Sequence, residues 1–123
     1  MQPGARRIDR GDLYWVAAAD DRGVPGLAHP HVVVQDDVFN HSRVHSIVVC
    51  ALTSNPRRAS EPGNVLLDAG EGGLERPSIV VVSQIDAVDR ERLGAYIGRL
   101  SAARVAQILA GLRLQQTSFF DRP

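Results

Sequence analysis

The apolar residues of this chain fall in runs too short for a helical core and too rich in β-branched side chains for a loop. Ser78-Ile79-Val80-Val81-Val82-Ser83-Gln84-Ile85 is the strongest. Residues 46–52 form a second run, almost wholly apolar, which fits a strand buried on both faces. Four weaker segments carry the same signature, at 12–17, 31–35 (entered through Pro30), 64–68 and 96–100. A single helical turn is expected over 89–93, with Asp89 as its N-cap. Helical spacing is clear only near the C-terminus. There Val105, Ile108, Leu109 and Leu112 fall at i, i+3, i+4 and i+7 behind Ser101, predicting a helix over 101–116. Short strands closed by one helix predict a mainly β chain with some α, a small twisted barrel or half-barrel.

Composition narrows the class of protein. At 123 residues there is room for one domain, read as a flexible leader 1–8, a domain 9–118 and a tail 119–123. With 44% hydrophobic and 23% charged residues, disorder is excluded as the main state. The formal net charge is zero, from 14 cations and 14 carboxylates, which excludes a polybasic binder. Every cation is Arg, the side chain that grips phosphate through two hydrogen bonds. Their distribution is uneven. Arg43, Arg57 and Arg58 make a basic middle, Glu61, Asp68, Glu71 and Glu75 an acidic stretch, and Arg99, Arg104 and Arg113 a basic C-terminal region. Cys50 is the only cysteine, so an intramolecular disulfide is excluded, and its apolar setting suits a small buried hydrophobe. No secretory signal or apolar stretch of about 18 residues is present, so the cytoplasm is the expected location and no membrane is expected as a partner.

Chemistry-bearing residues cluster between 29 and 54. His29, His31, His41 and His45 lie within 17 residues, but their spacing matches no established zinc pattern and no thiol joins them, so no metal is expected. His29 stands out because it ends a Gly-containing loop and precedes Pro30 at a strand entry. Thr53 and Ser54 end the third strand and offer hydroxyls able to donate to a phosphate. The phosphate-binding loop Gly-x-x-x-x-Gly-Lys-Ser, the Gly-x-Ser-x-Gly elbow and His-Glu-x-x-His are all absent.

The order of motifs resembles the MazF/PemK family of type II toxin–antitoxin toxins. Arg10-Gly11-Asp12-Leu13-Tyr14-Trp15-Val16 looks like that family's opening strand. His29-Pro30-His31-Val32-Val33-Val34-Gln35-Asp36-Asp37-Val38-Phe39-Asn40 looks like its second motif, and the run 48–54 like its third strand ending in Thr-Ser. Gly63-Asn64-Val65-Leu66-Leu67, Val82-Ser83-Gln84-Ile85 and Ile97-Gly98-Arg99-Leu100-Ser101 continue the match, which spans 9–116. The resemblance implies an SH3-like barrel of the PemK/CcdB kind with a C-terminal helix, assembled as a homodimer. It further implies a metal-independent endoribonuclease that cuts single-stranded mRNA without a cofactor, leaving a 2′,3′-cyclic phosphate and a 5′-hydroxyl. Its partner would be a cognate antitoxin peptide, and the complex of the two would bind DNA. The family's catalytic Arg falls on His29 and its catalytic Thr on Thr53. Arg22, Ser54, Arg57, Arg58 and Gln84 are then expected to bind substrate. Two departures stand out: Val24-Pro25 replaces a usual Glu-Gln pair, and Asp86 stands where an Arg is usual. Two other readings remain: a catalytically weak or inactive homologue that keeps antitoxin binding, and a CcdB-like toxin that binds gyrase.

Overall fold

The computed structural model describes residues 6–19 and 25–120. Six antiparallel strands form one sheet: β1 (Asp12–Ala19), β2 (Pro25–Val33), β3 (Ser46–Thr53), β4 (Val65–Leu67), β5 (Ser78–Asp89) and β6 (Leu93–Arg99). Their order is β4-β5-β3-β2-β1-β6. A short helix, α1 (Asp37–Asn40), follows β2, and α2 (Ala102–Phe120) closes the chain. Short 3-10 turns at Pro56–Ser60, Glu71–Gly73 and Arg90–Arg92 fill three of the connections. All six expected strands and the C-terminal helix are present.

Both faces of the sheet are buried, each by alternate residues of the same strands. Leu13, Val32, Cys50, Leu52, Val80 and Val82 face one core, completed by Leu67, Leu74, Leu100 and Ile108 and Leu112 of α2. Tyr14, Val16, Val33, Ile47, Val49 and Val88 face a second core, flanked by Ile8 and Leu93. The α2 stripe behaves as its spacing requires, with Ile108 and Leu112 buried and Val105 and Leu109 packed against the same core. Ser101 Oγ accepts the Arg104 backbone N–H at 3.2 Å, capping the helix as expected. Asp89 occupies the N-cap position of the Arg90–Arg92 turn, but its side chain makes no capping bond.

Strand limits differ from expectation in two places that matter. β2 begins at Pro25, not His31, so His29 lies inside a strand and does not end a loop. Pro30 is tolerated there because pairing with β3 begins only at His31, leaving one side of 25–30 without a strand partner. β6 starts at Leu93 and stops at Arg99, because Val16 pairs with Leu93 and Tyr14 with Tyr96 on the neighbouring strand. The helix also runs past Gln116 to Phe120.

Polar contacts pin the segment before β1 to this frame. Arg99 donates to Asp12, which is fully buried, and to Asp9, whose other oxygen pairs with His41 Nε2 at 2.7 Å. Burial pushes the Asp9 carboxyl up, but the His41 hydrogen bond and the Arg7 and Arg99 charges outweigh it and hold it below its usual value. Arg6 lies over the Tyr96 ring, 3.5 Å from its centroid, so residues just before the expected domain boundary at 9 already pack on it.

The α2 seat depends on Gly111. A Cβ there would lie 2.1 Å from the Gly63 carbonyl oxygen, far inside contact distance. Helix propensity alone would make Gly111→Ala stabilising by up to about 1 kcal/mol, whereas overpacking of this kind costs about 1–3 kcal/mol. The clash is against backbone and wins. Gly111→Ala will therefore lower the urea midpoint of unfolding, and an unchanged or raised midpoint would refute this seat.

Candidate nucleic-acid interface

Register decides which side chains meet. On β2, His31 pairs with Tyr14 and His29 with Val16, and both partners belong to the second core. Side chains of directly paired residues share a face, so His29 and His31 stand together on the second-core side, beyond the packed residues. On β3, His31 pairs with Ala51, and Leu52 faces the first core. Alternation therefore puts Ala51 and Thr53 on the His31 side. The β2–β3 pairing ends at His31 and Ala51, so His29 and Thr53 lie two residues past the last pair, on the same side of their strands. On β5, Asp86 pairs with Val49, again on this face. The small side chain of Ala51 thus has His31, Thr53 and Asp86 around it.

Within this group His31 is the most constrained. Its Nδ1 lies 2.8 Å from the His29 carbonyl oxygen. Burial holds the His31 imidazole below its ordinary 6.5; the backbone bond from His29 opposes this, the His29 ring and Arg92 add to it, and Asp86 opposes it. Thr53 Oγ1 accepts the Asn55 backbone N–H at 3.2 Å, which leaves its hydroxyl proton free to donate elsewhere.

A cleft of about 450 Å³ opens at this end of the sheet on the first-core side, where Leu52, Leu74 and Ile97 line it, and His29 is the one member of the group above that reaches it. His29 and Ser54 form part of its wall, with Trp15, Glu75, Arg76 and Ile97 among the other lining residues. Trp15 is 43% exposed there, an unusual fraction for the only tryptophan of the chain. Arg76 was hidden to sequence reasoning inside an acidic stretch. Only the fold, by turning the segment before β5 back toward β2, brings it to the same cleft as His29 and Ser54.

The other expected substrate-binding residues separate. Arg57 is exposed on the Pro56–Ser60 turn, and its side chain has no partner among the described residues. Arg58, one residue on, forms an ion pair with Glu61. Gln84 is exposed on β5, at the bulge where pairing to β3 jumps from Ile85 to Val80. Arg22 lies outside the described residues. Two of the three C-terminal cations named above are engaged: Arg99 is held by Asp9 and Asp12, and Arg104 by Glu71 at 2.8 and 3.0 Å, while Arg113 is exposed on α2. His41 joins Asp9 and Asp37 in a cluster whose ligand atoms lie within 4.8 Å of one another. Its oxygens are already bonded, Asp9 to Arg7 and Arg99, and Asp37 to the Arg10 backbone N–H and Asn40.

A six-stranded antiparallel sheet packed on both faces and followed by a C-terminal helix is the architecture of a small SH3-like barrel. The family model described as PemK-like, MazF-like toxin of type II toxin–antitoxin system matches residues 9–115, and the chain belongs to that family. Endoribonuclease MazF6 of Mycobacterium tuberculosis is 33% identical over 107 residues, covering 86% of this chain and 94% of that protein. Endoribonuclease EndoA of Bacillus subtilis is 30% identical over 108 residues, covering 87% and 92%. Among solved structures, MazF of Deinococcus radiodurans shares the fold at a TM-score of 0.72 and 20% identity, over 92% of this chain and 99% of that one. A mycobacterial endoribonuclease in complex with its cognate antitoxin matches at a TM-score of 0.72 and 21% identity, over 89% and 95%. No helix among the described residues is long and apolar enough to cross a membrane.

The state of His31 is open to measurement. A histidine whose folded pKa is depressed binds its proton more readily when unfolded, so stability falls as pH drops below the ordinary value of 6.5. Unfolding followed across pH 5 to 8 (about one and a half units either side of that value) will show this slope, and His31→Gln will remove it. An NMR titration placing His31 above its ordinary value would overturn the assignment.

Proposed function

We propose that the face carrying His29 and Thr53 cuts single-stranded RNA by attack of a 2′-hydroxyl on the adjacent phosphate. The chain is an endoribonuclease toxin of the type II toxin–antitoxin class, with RNA and an antitoxin as its partners. What supports the reading of the site is that His29 and Thr53 lie on the same sheet face of neighbouring strands, each two residues past the last β2–β3 pair, His31 with Ala51. The reaction needs a base for the 2′-hydroxyl, an acid for the departing 5′-oxygen and donors for the charge that builds on phosphorus. An imidazole can give and take a proton in the reaction, which a guanidinium cannot. Thr53 donates its free hydroxyl hydrogen, with Ser54 and Arg57 alongside. Arg57 takes the phosphate in preference to Arg58, whose charge Glu61 already occupies. Trp15 offers a ring on which an unpaired base stacks, and Arg76 a second phosphate contact in the same cleft.

Cleavage requires no metal in this reading and leaves a 2′,3′-cyclic phosphate and a 5′-hydroxyl. The working unit is a homodimer in the cytoplasm, built from one domain over 9–118. A gyrase-binding, CcdB-like role is not favoured, because the curated relatives are endoribonucleases. An acidic antitoxin segment would compete for the same Arg-bearing surface.

Cleavage of a mixed RNA pool will proceed in EDTA, and sequencing of its 5′-hydroxyl ends will give the recognition sequence. His29→Ala or Thr53→Ala will lower the rate about 10²-fold or more; full cleavage by the double variant would end this reading. A second check uses Trp15 as a reporter. A single-stranded oligonucleotide with deoxyribose at the cleaved position will change its emission. Arg76→Ala will weaken that binding severalfold and lower its salt slope by about 0.7, the increment expected when one phosphate of a single strand is no longer neutralised. Binding unaffected by Arg76→Ala would remove Arg76 from the interface.

A further inference from the structure

We propose that His31 is the general base of the cleavage reaction and that His29 is its general acid. This deepens the reading above and rests on His29 and Thr53 forming the site. The observation is a hydrogen bond. A carbonyl oxygen only accepts, so the 2.8 Å contact between His31 Nδ1 and the His29 carbonyl fixes the proton on Nδ1. In the neutral ring the lone pair is then on Nε2, the atom free to take a proton. His31 is partly exposed, so that atom is not sealed in a core.

The surroundings keep the ring in this form. On its own strand the His29 ring, and from the Arg90–Arg92 turn Arg92, disfavour a charge on His31. Asp86 of β5 acts in the opposite direction, stabilising the imidazolium once it forms. Tyr14, opposite on β1, stays protonated, its hydroxyl pushed up to about 12 by burial and then by Asp12. Ala51 of β3 carries no charge and its small side chain leaves space beside the ring. A base that starts neutral and gains a carboxylate partner on protonation is the arrangement proton abstraction requires.

In the cleavage step the 2′-oxygen bonds to phosphorus as the bond from phosphorus to the 5′-oxygen breaks. The 2′-hydroxyl proton passes to His31 Nε2, and the His29 imidazolium gives its proton to the departing 5′-oxygen. Exchange with water resets both rings. Thr53 and Arg57 hold the charged phosphate oxygens throughout.

The test compares wild type, His31→Gln and His29→Ala on one RNA substrate and on its analogue with sulfur at the scissile 5′ position. Sulfur leaves without a proton, so the analogue needs a base but no acid. His31→Gln is expected to lose at least about 10²-fold on both substrates, and His29→Ala to lose on the ordinary RNA but recover on the analogue. Added imidazole will restore part of the His31→Gln activity, and retained oligonucleotide binding at Trp15 will report that the variant is folded. The proposal is overturned if His31→Gln stays within about threefold of wild type, a small fraction of what a proton-transfer group supplies, or if the sulfur substrate restores it. Should the variant fail to fold, the wild-type profile decides: kcat/KM must fall on the acid side at the pKa that NMR assigns to His31, and any other value refutes the role. Full activity in His29→Ala with a dead His31→Gln would remove His29 from the site and leave His31 as base; no cleavage by wild type would end both readings.

Discussion

Everything in this molecule depends on one sheet having to bury both of its faces. Consecutive residues on β1, β2 and β3 are apolar because odd and even positions serve different cores: Leu13 and Tyr14, Val32 and Val33, Val49 and Cys50. Antiparallel sheets more often leave one face to water. Here α2 and β4 complete one core, while the opposite side of the same strands closes around Tyr14, Val16 and Val88. A change of one residue in register would exchange the two sets and put every side chain in the wrong core. The register is therefore tightly held where both faces are packed.

The same constraint creates the site. Along β2, double burial ends between Val32 and His31; along β3, it ends between Cys50 and Ala51. Beyond those points β2 stays paired with β1 and β3 with β5, the pairing of β2 with β3 stops, and side chains on the second-core side are released from packing. His29, His31 and Thr53 occupy that released stretch. A site built on strands whose positions are set elsewhere is held more precisely than one built on a loop. Because His29 lies within a strand, its carbonyl is available at a fixed place to hold the His31 ring.

The charges divide by the same logic. Several arginines serve the frame: Arg99 bridges Asp9 and Asp12, Arg104 holds Glu71, and Arg90 donates to the carbonyls of Asn40 and Val44 after α1. Arg57 and Arg76 have no side-chain partner among the described residues, and each lies beside a site element. In a chain of zero formal net charge, these two arginines are thus left available to a phosphate while others are committed to the frame.

Much of this was legible in the sequence. β-branched runs and turn formers marked the strands, a period of 3.6 marked α2, and the motif order pointed to the family, with His29 and Thr53 as its candidates. These are local properties, written in neighbouring residues. The limits of β2 were not legible, because Pro30 reads as a strand boundary unless one knows that its open side faces no partner strand. Arg58 and Arg104 looked like free cations until the fold supplied Glu61 and Glu71. Arg76 was invisible within its acidic neighbourhood, and His31 looked like one more surface histidine. Side-chain type and local period are set by the sequence alone; which atoms stand beside which is set by register and by the return of the chain. Hydrogen bonds and ion pairs act over a few ångströms in space and are indifferent to separation along the chain. The sequence by itself determined the strands, the helix and the family. Only the tertiary structure decided which arginines are free and which nitrogen of His31 carries the proton.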